Sequence, residues 1–459
     1  MFLKEAGEYM QTITRLTQVM FPILIAQLST VGMNFLDTAM SGHASKVDLA
    51  GVSVGASLFM PILVATTGIL AAGTPIIAQC LGRRDRASIP EVVRTGLGVG
   101  FLIALFFAGL YYAGIDRVLQ VMMLEPEVEH IARYYLLAMV VSVFFETPVM
   151  VLRSLTDTVG GTSISMRFFL LGLPIDAVLN YMFIFGNWGT PRLGGIGAGI
   201  ATLLTYVLLL LLFLWIVLKN KIFMGEVIFS SCRTRWASWK EFLGIGLPNG
   251  LGMFMESSLF GFIVIFIAGF GTEVLAAHQA AINFSGVIYM MPLSCSMALT
   301  ILIGIEVGAG RYDRARAFRK AGLLLALGIA AATAAVTVLG RAFIAGIYTE
   351  DAAVGAVAGL FLVYCAGWQL FDAVAAPIQG ILRGYKDAKV PFLLMMAAYW
   401  GVCFPAGLFL DRGMGLGAVA YWQGLDIGVG ASAVLLAARL FFIERKYRKD
   451  NLPEDTTVL

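Results

Sequence analysis

Charge is what this chain has least of. Lys, Arg, Asp and Glu make up 13% of its 459 residues, against about 25% in an ordinary soluble domain. Histidine occurs only three times and cysteine five times. The cysteines (Cys80, Cys232, Cys295, Cys365 and Cys403) are scattered, odd in number and without a C-x-x-C pair. That pattern suggests neither a disulfide framework nor a zinc site, so they read as small packing residues. No Gly-Lys pair occurs, so the G-x-x-x-x-G-K-[ST] phosphate loop is missing and ATP-driven transport by this chain is excluded. H-E-x-x-H is absent, and the one G-x-S-x-G string, Gly51-Val52-Ser53-Val54-Gly55, lies within a hydrophobic run near 50–79 rather than at the strand-to-helix elbow its chemistry needs, which leaves a membrane enzyme without convergent catalytic residues.

What the chain has instead is apolar surface. Apolar residues account for 59% of it, and its mean hydropathy is +0.85. Twelve hydrophobic runs lie between charged breaks, the first near 15–40 and the last near 415–440, each long enough for the roughly 20 residues that a span needs. The expected fold is an all-α polytopic membrane protein. Of the 32 Lys and Arg residues, 26 fall on the side of the chain ends and 6 on the other. By the positive-inside rule both termini are cytoplasmic, which implies a multi-pass protein of the inner (cytoplasmic) membrane. The first run has no cleavage pattern and reads as a retained signal anchor.

The chain repeats itself at half its length. Gly82-Arg83-Arg84-Asp85-Arg86-Ala87 matches Gly310-Arg311-Tyr312-Asp313-Arg314-Ala315 at five of six positions, 228 residues apart. Leu152-Arg153 and Asp157 are echoed by Leu382-Arg383 and Asp387, and Gly195-Ile196-Gly197-Ala198 by Gly415-Leu416-Gly417-Ala418. Two six-helix lobes are expected, 1–218 and 241–445, joined by a cytoplasmic linker at 219–240 and followed by a tail at 446–459. An even number of helices per half puts the pseudo-twofold axis along the membrane normal. The basic turns read as anchors for anionic lipid, or as a switch in which Asp85 and Asp313 exchange arginine partners.

Carboxylates inside the hydrophobic runs are the candidate functional residues, because each costs roughly 2.5 to 3.5 kcal/mol at mid-membrane and therefore faces a cavity, a proton or a cation. Glu256 lies roughly 22 Å along helix seven and Asp372 roughly 15 Å from the cytoplasmic end of helix ten, so their depths overlap. Two such acids side by side raise one pKa or admit a cation, either Na⁺ or H⁺. Neither has an acidic copy in the first half, which marks them as additions to a repeated scaffold. Asp37 is a further cation-coupling candidate or a helix-end acid. Asn34 and Asp37 stand at i and i+3, and Asp176 and Asn180 at i and i+4, each pair on one helix face. A hydrogen-bonded polar cluster within the first half is the expectation. His278, Gln279 and Asn283, with Tyr289, form a possible second-lobe lining; the first three also fit a helix-terminal polar patch. Glu146 and Asp426 are weaker candidates, expected to be paired structurally.

Pro22 and Asp37 in helix one, Met253-Phe254-Met255-Glu256-Ser257, Ser285-Gly286-Val287-Ile288-Tyr289-Met290 and Leu382-Arg383-Gly384-Tyr385-Lys386 together resemble the multidrug and toxic compound extrusion family, nearest its NorM-like branch. The resemblance covers essentially the whole chain. It implies a V-shaped pair of six-helix lobes that expel cationic amphipathic drugs and dyes in exchange for Na⁺ or H⁺. By that comparison Glu256 and Asp372 hold the cation, and Asp37 with Asp176 and Asn180 forms the first-lobe polar site. An acid at 176, often an amide in relatives, leaves the coupling ion open. Expected partners are small-molecule cationic drugs and the bilayer, with no nucleic acid, no cofactor beyond the coupling ion, and a monomeric state. A major facilitator and a lipid-linked oligosaccharide flippase are the rivals; the G-R-x-D-R-A order fits the first poorly, and the membrane acids disfavour the basic cavity of the second.

Overall fold

The computed structural model describes residues 2–449, so the distal part of the expected tail lies outside the described residues. Backbone groups inside a bilayer have no water to bond, so each span closes its hydrogen bonds within itself as a helix. Among the described residues there is no strand. Twelve helices are long and apolar enough to cross a membrane: α1 (Tyr9–Ala44), α2 (Lys46–Gly82), α3 (Arg86–Met122), α4 (Pro126–Gly160), α5 (Ser163–Phe185), α6 (Gly195–Lys219), α7 (Trp236–Ala268), α8 (Thr272–Gly308), α9 (Tyr312–Leu339), α10 (Ala352–Gly384), α11 (Lys389–Arg412) and α12 (Val419–Tyr447). Each corresponds to one hydrophobic run of the sequence.

The helices gather into two compact units. The first comprises residues 21–81 and 85–254; the second comprises 1–20, 82–84 and 255–459. Helices α1 and α7, which occupy equivalent places in the repeat, therefore each divide their length between units. The segment 219–240 packs on the first unit. It carries a short turn, Lys221–Phe223, and a five-residue helix, Gly225–Phe229. Arg94 donates to the Val227 carbonyl at 2.9 Å, and Glu91 accepts from Arg235 Nε at 3.0 Å and from the Ser238 hydroxyl at 2.6 Å. Phe223 is fully buried against Gly160.

Asp85 accepts from the Ser88 backbone N–H at 3.3 Å, and Asp313 pairs with Arg316 at 3.2 Å. The glycine echo differs between halves. Gly195 and Gly197 lie inside α6, whereas Gly415 and Gly417 have φ of +71° and +63° in the turn before α12. In the first unit the left-handed turn residue is Gly194, where a Cβ would fall 2.2 Å from Asp48 Oδ1. Asp48 uses that oxygen to accept the Gly195 N–H at 2.6 Å, tying the start of α6 to the start of α2.

Close approach along α6 explains its glycines, since small residues let membrane helices pack backbone to backbone. A Cβ on Gly197 would lie 2.5 Å from the Phe183 carbonyl, whereas one on Gly286 would meet nothing within 4 Å. Gly197→Ala is expected to destabilise the protein by about 1–3 kcal/mol, as overpacking does, and Gly286→Ala to leave stability unchanged. Thermal unfolding of the purified protein in detergent checks the pair; equal melting midpoints would contradict the packing account.

Candidate functional site

In the first unit, α5 and α6 bring three side chains to Asp37 of α1 and Asp176 of α5. The Asn180 amide donates to Asp37 Oδ1 at 2.7 Å and to Asp176 Oδ2 at 3.0 Å. Thr202 donates to the other oxygen of Asp37 at 2.8 Å, and Thr205 to the other oxygen of Asp176 at 3.0 Å. Asp37, Asp176, Asn180, Thr202 and Thr205 are all buried. Every carboxylate oxygen of the pair thus has a side-chain donor, which is the condition for keeping acids away from water.

The expected cluster forms with one member exchanged. Asn34 is exposed and is absent from it, because a three-residue step along a helix turns through about 300° and leaves the two side chains some 60° apart. Asp37 points inward from α1; Asn34 does not. The missing donors come from α6, where Thr202 and Thr205 stand at i and i+3 and so share a face. That spacing was present in the sequence, but hydroxyls in apolar helices usually bond their own backbone, as Thr202 also does to Ala198 at 3.1 Å.

In the second unit, Glu256 of α7 is partly buried and Asp372 of α10 is buried. The two lie within electrostatic range of each other, and Tyr289 of α8 is within range of both. Asp372, Gln369, Ser285, Tyr289 and Trp368 line a cavity of about 20 Å³, room for about one water-sized occupant. Glu256 accepts from the Tyr399 hydroxyl at 3.4 Å, while Trp400 donates to the Met255 carbonyl at 3.2 Å. Both rings sit on a π-helical stretch of α11, Ala397–Cys403. Extra residues per turn of this kind re-aim side chains and recur at functional sites. Tyr399 was not among the sequence candidates, since a π-turn leaves no periodicity signal.

Arg383 lies near this pair. It is within electrostatic range of Glu256 and donates to Ser296 at 2.8 Å. Its repeat counterpart Arg153 instead pairs with Asp157 at 3.4 Å, donates to Gln27 at 3.1 Å and covers the Phe169 ring at 4.8 Å. Of the lining candidates, Tyr289 reaches the cavity of Asp372. His278 is buried edge-on against the stacked rings of Phe361 and Trp422, at 6.4 and 5.4 Å. Gln279 and Asn283 are exposed on α8. Glu146 and Asp426 have no arginine partner: one oxygen of each is buried with no hydrogen bond.

Two clusters of acids held within helices that cross a membrane define a polytopic transporter architecture. The likenesses to solved structures agree with it in fold. A Vibrio cholerae MATE transporter, VcmN in the bent form, superposes with a TM-score of 0.84 at 18% identity, over 96% of this chain and 99% of that one. A MOP superfamily transporter from Pyrococcus furiosus gives 0.86 at 17% identity, over 95% and 97%. The MatE family profile matches the chain twice, over 22–182 and 248–408. A probable multidrug resistance protein NorM of Bacillus subtilis is 41% identical over 446 residues, 97% of this chain and 99% of the relative. Its Bacillus cereus counterpart is 39% identical over 450 residues, 98% and 99%. The chain belongs to the MatE family.

If Thr202 carries a hydrogen bond to a buried carboxylate, removing it costs about 1.5–3 kcal/mol. Thr202→Val is therefore expected to lower the melting midpoint clearly, and Asn34→Ala to leave it in place. Midpoints in the reverse order would displace the assignment of cluster members.

Proposed function

We propose that the chain is a secondary active multidrug efflux transporter that expels cationic amphipathic drugs and dyes in exchange for Na⁺ or H⁺. The observation that carries this reading is the pairing of Glu256 and Asp372 around Tyr289, beside a cavity with room for a single ion. Carboxylate oxygens suit a hard cation, and the same pair suits a proton. Cation binding there and drug binding are mutually exclusive, so each drives release of the other. The relatives' designation as probable multidrug resistance proteins supports the cargo class. Fold by itself does not: the Pyrococcus furiosus structure is reported with a binding pocket of reverse polarity and a different suggested function. The acids of this chain favour positively charged cargo.

Asp37 and Asp176 supply the proton alternative. Two carboxyl groups bridged by one Asn180 amide resist joint ionisation away from water unless a cation joins them. The reading carries the remaining expectations with it: an inner-membrane protein with both termini cytoplasmic, monomeric, with no cofactor beyond the coupling ion, no nucleic-acid partner and no enzymatic step. Family membership leaves the major facilitator and oligosaccharide flippase readings unfavoured.

The test is dye efflux from proteoliposomes under an imposed Na⁺ gradient, with pH and membrane potential clamped. Gradient-driven efflux is expected in the native protein and its loss in Glu256→Gln and Asp372→Asn at normal protein levels. Full efflux from either variant refutes the coupling role. Efflux under a pH gradient alone assigns coupling to protons, with Asp37→Asn then the decisive variant.

A further inference from the structure

The buried polar atoms of the second unit without a hydrogen-bond partner among the described residues include these four: His278 Nδ1, Trp422 Nε1, Asp426 Oδ1 and Gln369 Oε1. They belong to α8, α10 and α12, and both α8 and α12 pack along α10. Each orphan costs about 1–3 kcal/mol if nothing satisfies it, and buried polar groups of this kind are ordinarily met by water or an ion. The acid pair of the first unit shows the contrast, since all four of its oxygens have side-chain donors.

The orphans follow one line. At one end the His278 ring stands 5.4 Å from Trp422, and Phe361 stacks on Trp422 at 5.3 Å. Asp426 is one turn further along α12. It lies over Gly367, where a Cβ would be 3.2 Å from Asp426 Oδ2. Asp426 is also within electrostatic range of Cys365, whose sulfur meets Ser285 Oγ at 2.7 Å and Gln369 Nε2 at 3.3 Å. Ser285 and Gln369 then line the cavity of Asp372. Residues 278 and 422 lie near the starts of α8 and α12, the end of the bundle with few basic residues, so the line runs inward from the outer face in the orientation proposed above.

We infer that the coupling cation reaches Asp372 through this polar seam between α8, α10 and α12, with Asp426 as a transient ligand on the way. The inference rests on the reading of Glu256 and Asp372 as the coupling site. The mix of orphaned donors and acceptors suits a file of waters, and the oxygens of Asp426, Gln369 and Ser285 suit a monovalent cation shedding part of its hydration. Gly367 keeps the seam open, because any side chain there would crowd the Asp426 carboxylate. Asp426 thereby acquires a role that no arginine partner explains.

The experiment measures initial rates of dye efflux from proteoliposomes under a Na⁺ gradient and, separately, a pH gradient, together with equilibrium dye binding in detergent. Asp426→Asn and Gly367→Val are expected to slow efflux roughly tenfold, equivalent to about 1.4 kcal/mol on the barrier, with dye affinity unchanged and with Asp426→Glu restoring the rate. Slowing under one gradient alone assigns the seam to that ion. Native rates in both variants under both gradients overturn the seam while leaving the coupling site intact. Native rates in Asp372→Asn overturn the coupling site and the seam together, so the two failures are read from different variants.

Discussion

A carboxyl group inside a membrane helix is the constraint from which the rest of this structure follows. Removed from water it must receive donors, a proton or a cation, and the two units meet that demand differently. In the first, Asn180, Thr202 and Thr205 give every oxygen of Asp37 and Asp176 a donor. In the second, Glu256 has the Tyr399 hydroxyl at 3.4 Å, and Asp372 faces a small cavity lined by Tyr289 and Gln369. One acid pair is saturated by protein donors; the other stands beside a small cavity.

Helix geometry makes both arrangements affordable. In the first unit, glycines bring backbones close enough for donors on α6 to reach acids on α1 and α5, as the Gly197 contact with the Phe183 carbonyl shows. In the second, the π-turn of α11 swings Tyr399 and Trp400 onto the Glu256 segment without breaking the span. Rigid close packing around one acid pair and a locally underwound helix at the other answer the same electrostatic demand.

The sequence made the helices legible because hydrophobic runs between charged breaks map directly onto spans when the solvent is lipid. It made Asp37, Asp176 and Asn180 legible because an acid in such a run is costly and i, i+4 spacing shares a face. Thr202, Thr205 and Tyr399 were not legible. Hydroxyls and tyrosines are ordinary in apolar helices, and their selection depends on which faces meet between helices, which no single-helix period encodes. Asn34 misled for the related reason that a shared side along one helix does not fix which part of it turns toward a neighbour. His278 was visible as a polar residue in an apolar run, but its place against the stacked rings of Phe361 and Trp422 depends on the register of three helices.

The repeated arginines show how one scaffold came to hold two kinds of site. Arg153 keeps its partner four residues along its own helix, Asp157, and stacks on Phe169. Such a pair, buried and nearly self-contained, contributes structure and offers little to a passing ion. In the second half the matching aspartate, Asp387, is engaged by Arg439 at 2.7 Å, and Arg383 donates to Ser296 within range of Glu256. A positive charge near an acid weakens its hold on a cation, so in the proposed reading Arg383 would moderate the hold of Glu256 on the coupling ion. An exchanger needs that intermediate hold, since a site that saturates its ligand on one side of the membrane cannot release it on the other. Two arginines at equivalent places in the repeat thus stand in different surroundings, Arg153 beside Asp157 and Phe169, Arg383 beside Ser296 and within range of Glu256.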